Sequence, residues 1–226
     1  MSLFISIFGP DGSGKSTQVR ILARHILSNG YRVRIVWIKS YHTLAYVLSK
    51  LIEKLSPNSI VRNAYGHIIR INTLCNTKFS RALWSLIEFV SLIPLIILRV
   101  YIPLLMGEIV IAERYVIDSI ASIAYAVNDP LFDSRSLAEV ILSFIPKKRL
   151  LIYLDCDYKT VKTRRLDLTD PEDFFKFQHE IYDRLSKRLG AIKINTAEKS
   201  ISETAHMLRF IVDKKFPLST NQNPDC

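Results

Sequence analysis

Gly9-Pro10-Asp11-Gly12-Ser13-Gly14-Lys15-Ser16 decides the fold, because it matches GxxxxGK[ST] and stands between a strand pattern and a helix pattern. Upstream, Leu3-Phe4-Ile5-Ser6-Ile7-Phe8 reads as a short buried strand. Downstream, Ser16 to Asn29 repeats apolar residues at helical spacing: Val19, Leu22, Ala23, Ile26 and Leu27. The glycines allow successive backbone N–H groups to turn inward around an anion, and the helix N-terminus adds partial positive charge. Lys15 is then within reach of outer phosphates, and the Ser16 hydroxyl suits Mg²⁺.

Working outward, strands alternate with helices, which predicts a parallel sheet covered on both faces. Arg32 to Ile38 alternates with period two as a second strand, with Gly30 as the stop of the preceding helix. Helical pattern is expected from about Leu44 to Leu55 and from about Ile60 to Leu92, broken near Ser56-Pro57-Asn58. Glu108 to Ala112, Leu150 to Leu154 and Ile192 to Asn195 complete five strands. Gly190 closes a helix, and Ser200-Ile201-Ser202-Glu203 is a capping box for the last one. The expectation is one domain over residues 1–218, with a polar tail at 219–226.

The chain has 226 residues, 49% of them apolar, enough for a full core. Cys75, Cys156 and Cys226 are far apart and form no CxxC pair, which argues against a disulfide framework or structural zinc. No basic leader precedes Phe8, so a cytoplasmic setting is expected. The net charge of +10 favours anionic partners. The basic residues are scattered and no aromatic-interleaved stripe marks a single-strand track, so nucleic acid is not the favoured partner. Phe89 to Met106 is nearly long enough to span a bilayer, but Arg99, Pro94 and Pro103 interrupt it. A helix buried against the sheet is expected there, with peripheral membrane contact as the alternative.

Glu113-Arg114-Tyr115 follows the third strand, where a carboxylate and a guanidinium emerge at the carboxyl edge of the sheet. The carboxylate can serve Mg²⁺ or orient an attacking oxygen, and the arginine can hold a phosphate. Asp155, after the fourth strand, is open to two readings: cap of the next helix, or outer-shell metal group. Tyr115 and Tyr125 read as packing residues unless a flat base is stacked on them.

These motifs together resemble the thymidylate kinase family of nucleoside monophosphate kinases. Asp11-Gly12-Ser13-Gly14-Lys15-Ser16-Thr17-Gln18 is similar to that family's DGSGKSTQ. Glu113-Arg114-Tyr115, with Asp118-Ser119 and Ala124-Tyr125, resembles its DRY segment. Leu154-Asp155, Val161 and Arg164 resemble its LD…R stretch, and Asn195-Thr196-Ala197 stands where its adenine-contacting loop falls. The resemblance implies an α/β P-loop NTPase three-layer sandwich with a five-stranded parallel sheet and a lid at about 165–173. It implies ATP and Mg²⁺ as cofactors, with Gly9, Gly12, Ser13, Gly14, Lys15, Ser16, Thr17, Arg164, Thr196 and Ala197 on the donor side. Lys15, Asp11, Glu113 and Arg114 are the expected catalytic set, Lys39, Arg114, Tyr115 and Tyr125 the acceptor contacts, and Arg165 a lid arginine. Small-molecule nucleotides, with dTMP leading, are the expected substrates and a homodimer the expected assembly. The chain departs from the family at Lys39-Ser40-Tyr41-His42-Thr43, where Arg-Glu-Pro-Gly-Gly is usual, at Phe8 in place of Glu, and at Leu92 and Pro94 in place of base-reading Arg and Gln. A kinase of another acceptor, with an apolar tail, and a nucleotide-dependent nucleic-acid-binding module are the alternatives.

Overall fold

A computed structural model describes residues 2–38, 44–56, 60–62, 68–71, 77–165 and 171–216. Strand β1 (Leu3–Phe8) lies at the centre of a five-stranded sheet, with β5 (Ile109–Arg114) on one side and β6 (Arg149–Asp155) on the other. Strands β2 (Val33–Trp37) and β7 (Ile192–Asn195) form the edges, and every pairing is parallel. This is the α/β three-layer sandwich expected from the alternating pattern.

The two layers follow from the two-residue period of β1. Leu3, Ile5 and Ile7 face one side, where α1 (Lys15–Ser28) and α9 (Ile201–Lys215) contribute Val19, Leu22, Ile26, Leu208 and Val212. Phe4 and Phe8 face the other, meeting α3 (Lys78–Ile96), α5 (Val116–Ala126), α6 (Ser136–Ser143) and α8 (Glu172–Leu189). All six β1 residues are buried, as a central strand requires, and each large apolar one is worth about 1.5–3 kcal/mol. Gly30 ends α1 at φ +81 and Gly190 ends α8 at φ +64, both left-handed conformations that glycine adopts without penalty. The expected capping box starts α9: Ser200 Oγ accepts from Glu203 N–H, and Glu203 returns a bond to the Ser200 N–H.

The stretch from 60 to 77 corrects the expected long helix. Helix α2 (Leu44–Leu55) forms as expected, but β3 (Ile60–Arg62) and β4 (Ile68–Ile71) pair antiparallel as a separate small sheet. Their Ile-Val and Ile-Ile steps are β-branched and stiff at χ1, which favours extended backbone. Helix α3 begins only at Thr77, whose side chain caps the Ser80 N–H. It then runs past Leu92 to Ile96, through a π-helical turn (Ile97–Tyr101), into α4 (Ile102–Leu105). Pro94 lies inside α3 without ending it, and Pro103 is tolerated in the first turn of α4. The helix is buried against the sheet along one side, with Phe89, Leu92, Ile96 and Val100 in the core, while only 39% of its most apolar window is buried.

Candidate functional site

The carboxyl ends of β1, β5 and β6 converge on the glycine loop, 9–14. Gly9, Gly12 and Gly14 have φ of +141, +85 and +90, so the turn rests on backbone that L side chains rarely adopt. Gly9 also meets a wall, since an added Cβ would lie 2.3 Å from the Leu154 carbonyl oxygen. Gly12 passes beneath α7 (Tyr158–Arg164), where a Cβ would approach Val161 at 3.0 Å and the Arg165 stem at 3.5 Å. Gly14 opens onto free space and caps α1. Lys15 begins α1, and Ser16 and Thr17 follow, exposed, in its first turn.

Lys15 is 5% exposed, and its ammonium donates to the Gly9 and Pro10 carbonyls at 2.7 Å each. Burial pushes its pKa down to about 8, against the attraction of Asp118 and Glu113, while Arg165 adds further repulsion. An anion in the loop would relieve both penalties. Ser13 Oγ is buried without a hydrogen-bond partner, a polar atom within the loop that a ligand oxygen could satisfy.

Across the loop, Ser16 Oγ donates to Glu113 at the end of β5. A hydroxyl and a carboxylate in contact offer the hard oxygen donors that Mg²⁺ prefers. Arg114 forms an ion pair with Asp11 and reaches Asp118 Oδ1 at 3.5 Å. Asp118 is fully buried, accepting also from the Tyr115 backbone N–H at 3.2 Å and the Tyr182 hydroxyl at 3.2 Å. It therefore fixes the Arg114 guanidinium from behind, a positioning role that sequence reading did not isolate. The signal was present in the i, i+4 spacing of Arg114 and Asp118.

The residues after β6 and β7 that the resemblance places on the donor side also meet. Thr196 Oγ1 lies within hydrogen-bonding reach of both the Asp155 carbonyl at 3.0 Å and the Ser13 carbonyl at 3.2 Å, which share its single proton. Arg164, at the end of α7, donates to the Thr196 carbonyl at 2.6 Å, and the Ala197 N–H is held by Asn195 Oδ1 at 2.9 Å. One wall of the loop is thus made from residues 183 positions apart. Arg165 lies against Gly12. Lys39, most of the expected lid at about 165–173, and the tail at 219–226 lie outside the described residues.

Both tyrosines follow the packing reading rather than the acceptor contacts that the resemblance implied, and Asp155 departs from the capping reading. Tyr115 is fully buried, donates to the Phe144 carbonyl at 2.7 Å and packs on Phe4, so it belongs to the core and not to the acceptor contacts. Tyr125 donates to Asp173 at 3.0 Å and is packed edge-on by Phe174 and Phe177, joining α5 to α8. Asp155 does not cap the next helix; Asp157 does, accepting from the Thr160 N–H at 2.8 Å. Asp155 instead binds His179 at 2.7 Å and Lys193 at 3.1 Å. Among the described residues no group of three His, Cys, Asp or Glu could hold a metal ion by itself.

Burial pushes the Asp155 carboxyl up, but the His179 and Lys193 bonds together outweigh it and hold the group well below the carboxylate range. The Asp155 hydrogen bond raises His179 above its usual 6.5. A raised histidine contributes stability that is complete below about pH 6.5 and lost as pH climbs through its folded value. A depressed carboxylate contributes above about pH 3.9, and that share is lost as pH falls through its folded value. The pair is therefore expected to stabilise most between those limits. In thermal melts, the difference between wild type and His179→Asn should shrink as pH is raised from about 6 to about 9; a constant difference would remove the pair from the account.

No protein-family model and no curated protein matches this chain.

Proposed function

We propose that this protein is a P-loop kinase that moves the γ-phosphoryl group of ATP, with Mg²⁺, to a nucleoside 5′-monophosphate, dTMP leading. The observation that carries the reading is the meeting of Lys15, Ser16–Glu113 and Asp11–Arg114 around one glycine loop at the carboxyl edge of a parallel sheet. The orphaned Ser13 hydroxyl, the desolvated Lys15 and the Ser16–Glu113 oxygens fit a triphosphate and a hard cation. When bound, the cation would neutralise charge building on the phosphates.

Each side chain has a separate task in this reading. The loop N–H groups and Lys15 hold the donor phosphates, and Ser16 faces the cation with Glu113 behind it. Thr196 and Arg164 define the wall on which adenine rests. Arg114 exchanges its bond to Asp11 for the acceptor phosphate, while Asp118 keeps the guanidinium aimed. Asp11, released, is free to orient the attacking oxygen. Protein groups supply position and charge, and no covalent intermediate is needed.

The exposed apolar flank of α3 and α4 favours a second reading, a phosphorylatable acceptor with an apolar tail. A panel of nucleoside monophosphates assayed for ADP release separates the two, since activity with none of them removes the first. Arg114→Ala is expected to raise the acceptor KM by roughly 10–100-fold, the worth of a hydrogen bond to a charged group. The ATP KM should move far less; an unchanged acceptor KM would release Arg114 from its assigned role.

A further inference from the structure

The helical segment from Lys78 to Leu105 is long and apolar enough to cross a membrane by length and composition. Its inner side cannot leave the protein, because Phe89, Leu92, Ile96 and Val100 share one core with Phe4 and Phe8 of the central strand. Its outer side carries a continuous apolar lane. Phe79, Leu83, Leu86, Val90, Pro94 and Ile97 are exposed at steps of four, three, four, four and three. The lane then takes one step of five to Ile102, and this step falls on the π-helical turn, Ile97–Tyr101. The wide turn absorbs the extra residue and returns the lane to the same side, ending at Leu105, which is 85% exposed. Between Arg81 and Arg99 the sole charged residue is Glu88, which is buried.

Helix α2 packs beside α3, with the Ala45 N–H donating to Ser91 Oγ at 2.9 Å, and exposes a lane of its own: Val47, Leu51 and Leu55. Residues 44–107 contain seven basic residues and two acidic ones, half of the chain's net charge of +10. Of the two acids, Glu88 is buried and Glu53 is paired with Lys50 at 2.9 Å. An apolar lane edged by Lys50, Lys54 and Lys78 is complementary to acyl chains beneath anionic headgroups, while Arg99 turns to the Trp37 carbonyl at 2.9 Å. A second copy of the chain would instead set these cationic edges against one another.

We propose that the α2, α3 and α4 flank lies on an anionic lipid leaflet, with its outer lane immersed at the headgroup boundary and its inner side still part of the protein core. The attachment is interfacial, not spanning, and does not depend on the identity of the phosphoryl acceptor.

The test is flotation of the full chain with phosphatidylcholine vesicles, with and without about one-third phosphatidylglycerol, at low and high salt. Wild type should float with the anionic vesicles, and less so as salt rises. Leu86→Glu combined with Val90→Glu should weaken this by about tenfold or more, with thermal unfolding and ATP binding unchanged. Lys54→Glu with Lys78→Glu should lower binding to anionic vesicles while leaving any residual binding to neutral ones. The proposal is overturned if wild type fails to float, or if the Leu86 and Val90 variant floats equally well. It is also overturned if that variant merely turns a dimer into a monomer without any vesicle binding in wild type. Retention by native membranes after alkaline carbonate washing would likewise sink it, in favour of a spanning segment.

Discussion

Lys15→Ala is expected to lower turnover on the order of 10²-fold or more while leaving the fold intact, by analogy with removal of a preorganised charge-stabilising donor. The amine is desolvated in the folded chain, its bonds go to two loop carbonyls, and the hydrophobic layers lie elsewhere. Stability therefore has little stake in it, and the proposed phosphoryl transfer much. ADP release over time, with circular dichroism on the same sample, reads both effects. Because the ammonium loses its proton near pH 8, ATP affinity in wild type should weaken as pH rises beyond that value, and the variant should lack this limb. Full turnover in the variant would refute the assignment of the loop.

Gly9→Ala is expected to act on stability first. A methyl group there would sit 2.3 Å from a backbone carbonyl at the end of β6, and the φ of +141 is closed to L residues. Neither the β1 nor the β6 backbone can retreat without breaking the pairing of Phe8 with Tyr153. A cost of about 3 kcal/mol or more follows, which lowers Tm by roughly 6 °C or more in a chain of this size. Gly14→Ala is the matched control: its φ of +90 is unfavourable, but no atom lies within 4 Å of the added group. It should melt well above Gly9→Ala. Equal melting temperatures would mean that the Leu154 contact is not what demands glycine at position 9.

Sequence patterning specified the sheet because its strands are buried on both sides and read as short apolar runs, as in Leu3 to Phe8 and Leu150 to Leu154. The same logic failed between residues 60 and 77, where β-branched residues at mixed spacing suit either a helix or a hairpin. Phe89 to Met106 was ambiguous for a different reason. Composition reports apolarity but not which side of a helix meets the core, and here one side does and the other does not. In the site, the loop, Glu113 and Arg114 were legible because their spacing from strand ends is local. The partners that orient them are not local. Asp118 needs Tyr182 from α8, and Asp155, open to a capping or a metal reading, pairs with His179, 24 residues on.

The central place of β1 also dictates the order in which the molecule can assemble. Its neighbours, β5 and β6, begin more than a hundred residues later in the chain, so β1 leaves the ribosome well before either strand that flanks it. At about 5–20 residues per second, Leu3 to Phe8 must wait roughly 7–30 s for the second of them. Throughout that interval nascent chains present an unpaired apolar ribbon, and chaperone supply rather than final stability should govern how much protein is recovered during synthesis.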